Sequence, residues 1–117
     1  MTRSGVWAAE LDGSDISNEI WLSLPFSADI NMLGGQLYFE MPLDTKVRGN
    51  SNIFEKGDIA YWPEADALCI FSGPTPLSTD ERPVTAFLMK RIGHVTDDCS
   101  DMERSGDRTR ITLERSF

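Results

Sequence analysis

The chain has 117 residues, 19 acidic and 11 basic, with a net charge of −8, a length that makes a single domain over residues 1–117. Its 40% apolar and 26% charged residues are those of a globular chain and exclude intrinsic disorder. A sequence pI near 4.5 excludes the basic footprint that nucleic acids and anionic membrane surfaces select, so neither is expected as a partner.

The N-terminal MTRSGVWAAELDG has no apolar h-region, and the longest apolar run, Ala67 to Phe71, is far short of the roughly 20 residues that span a bilayer. A cytoplasmic location is expected. In chain order, Gly5 to Leu11 carries a weak strand pattern that ends at Asp12-Gly13. Ser14 or Asp15 then caps a short helix whose apolar stripe is Ile16, Ile20, Trp21 and Leu24. Glu19 is expected near the helix start, where the dipole favours it, and Pro25 stops the helix.

From Phe26 the pattern is β. Phe26, Ala28 and Ile30 alternate with polar neighbours, and Gly34-Gly35 is a turn. Gln36 to Met41 is a strand with Leu37, Phe39 and Met41 on one face and Gln36, Tyr38 and Glu40 on the other. Pro42 to Glu55 reads as a polar loop. Ile59 to Trp62 is a strand, Pro63 to Asp66 a tight turn, and Ala67 to Phe71 a strand buried on both faces. Gly73 to Pro83 holds three prolines and cannot be a central strand. Val84 to Ile92 is a strand, Thr96 to Gly106 is polar with one helical turn at Asp101–Arg104, and Thr109 to Glu114 closes the chain as an amphipathic strand. About seven short strands and one helix imply a sandwich or a barrel.

Chemical motifs are sparse. Cys69 lies in an apolar run and reads as a small buried hydrophobe. Cys99 sits among Asp98, Ser100 and Asp101, whose charge raises a thiol pKa. The one histidine, His94, cannot form a multi-histidine zinc site, and a Cys–His pair has no supporting motif. His94 therefore reads as a surface or structural residue. No GxSxG, P-loop, GxGxxG or HExxH occurs. No metal site or cofactor is expected, and no catalytic residue is singled out. Glu40 shares a face with Tyr38, either solvated or at a site. Tyr61 and Trp62 point to opposite faces of their strand, so one belongs to the core and the other is free to serve as a platform.

Residues Gly57 to Pro76, GDIAYWPEADALCIFSGPTP, resemble the central motif of a family of small prokaryotic cyclophilin-like proteins, through Gly57, Asp58, Tyr61, Trp62, Pro63, Ala67, Leu68, Cys69, Phe71, Gly73, Thr75 and Pro76. Tyr38, Phe39, Glu40 and Pro42 match a second strand of that family, and the resemblance runs from about Gly5 to Phe117. It implies a mainly β fold: a closed or nearly closed cyclophilin-like β-barrel with one short helix. Glu64, Ala65 and Asp66 depart from the family pattern, as do Ser72 and Met32-Leu33. The strand Gln36 to Met41 lacks the arginine that cyclophilins use to assist rotation about X–Pro bonds.

The resemblance and the residues together support three readings. The first is a module that binds a small molecule or a proline-containing peptide through Tyr38, Glu40, Tyr61, Trp62, Phe71 and Phe87. Glu40 would supply charge and the rings apolar area. The second is a weak peptidyl-prolyl isomerase, and the third is a non-catalytic interaction or accessory protein. Relatives have two strands before the helix where this chain has room for one, so either a second copy or a bound peptide is expected at an incomplete N-terminal edge, or the true start lies upstream. The charge is uneven: residues 1–45 hold seven acids and one base, a balance of −6, against −2 for the remainder.

Overall fold

In a computed structural model that describes residues 7–97 and 110–115, nine strands, one α-helix and one 3-10 turn are formed. The strands are β1 (Ala9–Leu11), β2 (Phe26–Asp29), β3 (Asn31–Leu33), β4 (Gln36–Glu40), β5 (Ser51–Ile53), β6 (Asp58–Trp62), β7 (Ala67–Phe71), β8 (Val84–Val95) and β9 (Arg110–Leu113). The helix α1 spans Asp15–Ser23, and Pro63–Ala65 makes the 3-10 turn.

The helix begins where expected. Ser14 is its N-cap, accepting from the Ser17 N–H at 3.4 Å, and the Asp12 carboxylate gathers the Ser14 N–H and both serine hydroxyls at 2.6–3.0 Å. Ile16, Ile20 and Leu24 turn inward, whereas Trp21 stays 36% exposed, with Arg115 against its outer side. The Arg115 guanidinium lies 5.7 Å from the Trp21 ring and donates to the Trp21 and Leu22 carbonyls, satisfying the last turn. Glu19 is mid-helix rather than near its start. Its carboxylate accepts the Asp44 and Thr45 N–H groups, each at 2.6 Å, and so pins the following loop to the helix.

The main sheet runs β1-β8-β6-β7-β4-β3, with β5 also paired to β8. The Gly34-Gly35 turn joins β3 to β4, and β7 is buried along its whole length, as its unbroken apolar sequence predicts. Two strands escape the sequence pattern. The short β3 precedes the turn, and β5 lies inside the stretch expected to be all loop. Helical pattern at Asp101–Arg104 falls outside the described residues, as does Cys99.

Among the described residues the barrel does not close: β1 and β3 stand at the sheet edges, and β2 pairs only with β9 in a separate two-stranded ribbon. The core is instead sealed by side chains. Ile16 and Ile20 of the helix pack with Phe39, Tyr61, Leu68, Ile70 and Ile92 of the sheet, and Phe26, Ala28, Ile111 and Leu113 of the ribbon lie against them. Phe26 stacks on Phe39 at 6.2 Å. Dispersion and apolar burial complete on this side what hydrogen bonds would complete in a closed barrel.

A second, smaller cluster lies on the opposite face of the sheet: Phe54, Ala60, Cys69, Phe71 and Met89, with Tyr38 and Trp62 against it. No helix among the described residues is long and apolar enough to cross a membrane.

Candidate functional site

Strand register places the candidate residues on this second face as a grid. One row is Glu40, Ala67 and Trp62 across β4, β7 and β6. The next is Tyr38, Cys69, Ala60 and Arg91 across β4, β7, β6 and β8. A third pairs Gln36 with Phe71, and Asp58 stands opposite His94 on β8. Cross-strand partners share a face, so aromatic and charged groups far apart in sequence meet here.

At one end the rings form a run. Tyr38 meets Trp62 edge-on at 6.1 Å, and Trp62 stacks on Phe87 at 5.3 Å. Phe87 is 46% exposed. Phe71 is not part of this run: it lies two rows away opposite Gln36, fully buried and stacked on Phe54 at 4.7 Å. The Trp62 Nε1 is buried without a hydrogen-bond partner, alone in this among the side-chain nitrogens and oxygens of the described residues. A buried indole N–H normally finds an acceptor. Glu40 is exposed on the same face. Tyr61 alone of the six candidates points the other way, into the main core, where its hydroxyl donates to the Met41 carbonyl at 3.0 Å. Burial, with the charge of Asp66 and Glu19, pushes that phenol up to about 12.

At the other end is a polar constellation that sequence reading missed. Asp58 is buried and its Oδ1 accepts from Arg91 Nε at 2.8 Å and pairs with His94 Nδ1 at 3.0 Å. Its Oδ2 takes the Glu55 N–H at 2.8 Å. Burial alone would raise the Asp58 pKa. The hydrogen bonds from Glu55, Arg91 and His94, with the Arg91 charge, outweigh it and hold the carboxyl below its usual range. Gly57 makes room for the histidine. Its φ is +95°, and a Cβ there would lie 2.9 Å from His94 Cε1.

Arg91 and His94 share a face although they are three residues apart. A β-bulge between the Ile59–Gly93 and Ala60–Arg91 pairs absorbs Ile92 as an extra residue. The signal that could have found this site is the Gly57-Asp58 pair, since an aspartate heading a buried strand needs partners.

Chemically, the Asp58–His94 pair fixes an imidazole orientation and Arg91 offers a half-exposed, immobilised guanidinium. Among the described residues His94 has no thiol partner: its ring bonds Asp58, while Cys69 is buried beside Gln36 and burial pushes its thiol up to about 12. Among the described residues no group of three or more His, Cys, Asp or Glu could hold a metal ion. A separate cleft of about 640 Å³ lies between Glu55-Lys56 and the loop from Ser72 to Arg82, and none of the six candidates lines it.

The fold has a solved counterpart. A hypothetical protein from Archaeoglobus fulgidus, determined in solution, matches with a TM-score of 0.80 and 25% identity, over 98% of this chain and 90% of that one. No curated protein matches the chain. The model of the cyclophilin-like family matches residues 1–114. With nearly the whole chain covered, this protein belongs to the cyclophilin-like family.

Proposed function

We propose that the protein is a binding module whose ligand lies on the aromatic face formed by Tyr38, Trp62 and Phe87. The observation that carries this reading is the Trp62 Nε1: a buried donor without a partner among the described residues, within a run of rings that ends in a half-exposed Phe87. Rings of this kind offer apolar area, and the indole N–H offers one directional bond to a carbonyl. A proline-containing peptide suits both. Its preformed extended helix loses little entropy on docking against aromatics, and its carbonyls stay free to accept.

The test is an NMR titration with the acetylated, amidated pentapeptide Gly-Gln-Pro-Phe-Gly, following the Trp62 indole N–H. A saturable shift is expected, weakened about tenfold or more in Trp62→Ala, the loss typical of a central aromatic contact. An unmoved indole resonance at millimolar peptide overturns the reading.

A second reading, weak prolyl isomerisation, is favoured by Arg91. This arginine stands directly opposite Ala60, so it is the diagonal neighbour of Trp62 on the same face, about 7–8 Å away between Cα atoms. Rotation about X–Pro breaks no covalent bond, so a fixed cation beside an apolar surface is the kind of group that could assist it. Exchange spectroscopy on the same peptide decides: cis–trans exchange faster with protein and slowed again by Arg91→Gln supports isomerisation, and an unchanged exchange rate leaves binding only.

A further inference from the structure

The aromatic end of this face has a charge of its own. Glu40 stands one strand beyond Ala67, and Trp62 stands on Ala67's other side. With strands about 4.8 Å apart, the carboxylate-bearing strand position is about 10 Å from that of the indole, across a residue that carries only a methyl. The turn between β6 and β7 adds Glu64 and Asp66 at the same end. That turn is locked to β4 by the Met41 N–H, which donates to the Asp66 carbonyl at 2.9 Å. Glu40, Glu64 and Asp66 are all exposed, and none is paired with a base of the described residues. The one cation in the grid, Arg91, is diagonal to Trp62, but its charge is met by the buried Asp58. Residues 1–45, which supply Glu40, carry −6 of the chain's −8.

We infer that the occupant of the aromatic face is cationic: a peptide segment bearing arginine or lysine next to its apolar part. This rests on the aromatic-face reading above and names the chemistry of its ligand. The apolar residue lies on Trp62 and Phe87, a backbone carbonyl accepts from Trp62 Nε1, and the basic side chain reaches toward Glu40, Glu64 and Asp66. An acidic chain also draws cations from solution and repels anions, which raises the encounter rate of the matching ligand.

Three acetylated, amidated pentapeptides, Gly-Xaa-Pro-Phe-Gly with arginine, glutamine or glutamate at Xaa, test this by NMR titration at low salt. The arginine peptide is expected to bind about fivefold tighter than the glutamine peptide and more than tenfold tighter than the glutamate peptide, the scale of a few exposed charge contacts. At 0.5 M salt the gaps shrink. In the triple variant Glu40→Gln, Glu64→Gln, Asp66→Asn they close, while the glutamine peptide still shifts the Trp62 indole. Asparagine is chosen at position 66 because it tolerates the left-handed φ of +50° found there. Equal binding of the three peptides overturns the cationic ligand and leaves the aromatic face standing. A Trp62 indole unmoved by all three overturns both. If n-butylamine binds as tightly as the arginine peptide, the peptide is overturned in favour of a small amine.

Discussion

Asp58 is one buried carboxylate that holds three donors from two separate parts of the chain. Removing it leaves Arg91 and His94 half exposed and able to regain water, so the loss is less than for a fully buried pair. Asp58→Ala is expected to lower unfolding free energy by about 2 kcal/mol, read from urea denaturation. The pH dependence has a definite sign. A carboxyl whose pKa is depressed on folding contributes stability that is complete above its unfolded value near pH 4 and is given up as pH falls through the folded value. The acid limb of the stability curve should therefore be steeper in the wild type than in Asp58→Asn. Parallel acid limbs would mean that Asp58 does not carry it. In sequence only Asp58, heading a buried strand, signalled a need for partners; which ones was hidden, because positions 58, 91 and 94 are brought together only by strand pairing. The rings were more legible. Tyr61 and Trp62 read as facing opposite ways from their adjacency alone, but which of them was core depended on where the helix packs.

At the scale of elements, legibility followed burial. β7 was readable to the residue because both its faces are covered, which leaves an uninterrupted apolar run between a turn and Gly73. The helix stripe was readable because Ile16, Ile20 and Leu24 keep one face. β5 was not: Ser51, Asn52 and Ile53 are half-exposed or exposed and pair on one side only, so no alternation marks them. The role of Glu19 was equally hidden, since its partners are backbone N–H groups of a loop 25 residues away. The hairpin turn carries a prediction of its own. Gly35 passes so close to the 73–75 segment that a Cβ would lie 2.3 Å from the Gly73 carbonyl oxygen, a backbone atom that cannot swing aside. Gly35→Ala should cost about 2 kcal/mol through forced separation of the two segments. Unchanged thermal stability would show that the turn has slack.

For the molecule as a whole, the mainly β, one-helix, cyclophilin-like fold followed from the family motif, whereas closure did not. A sequence pattern reports which face of a strand is apolar, not whether the last strand finds the first. Here the ribbon of β2 and β9 is held to the sheet by packing, with Phe26 on Phe39 at the contact. Phe26→Ala should therefore loosen the ribbon selectively. Amides of β2 and β9 are expected to lose hydrogen-exchange protection by about tenfold or more, while those of β6 and β7 change little. Uniform loss across all four strands would show that ribbon and sheet open as one unit.

The bulge at Ile92 bears on how this chain is compared with others. An extra residue is taken up there without turning any later side chain to the wrong side, so counting positions and counting faces give different answers across it. Two homologous strands, one with the extra residue and one without, would present the same arginine to the same surface while differing by one in length. An alignment that spreads its gap elsewhere in the strand would pair Arg91 with an inward-facing neighbour and hide the equivalence. The gap belongs at Ile92, where the ladder itself skips.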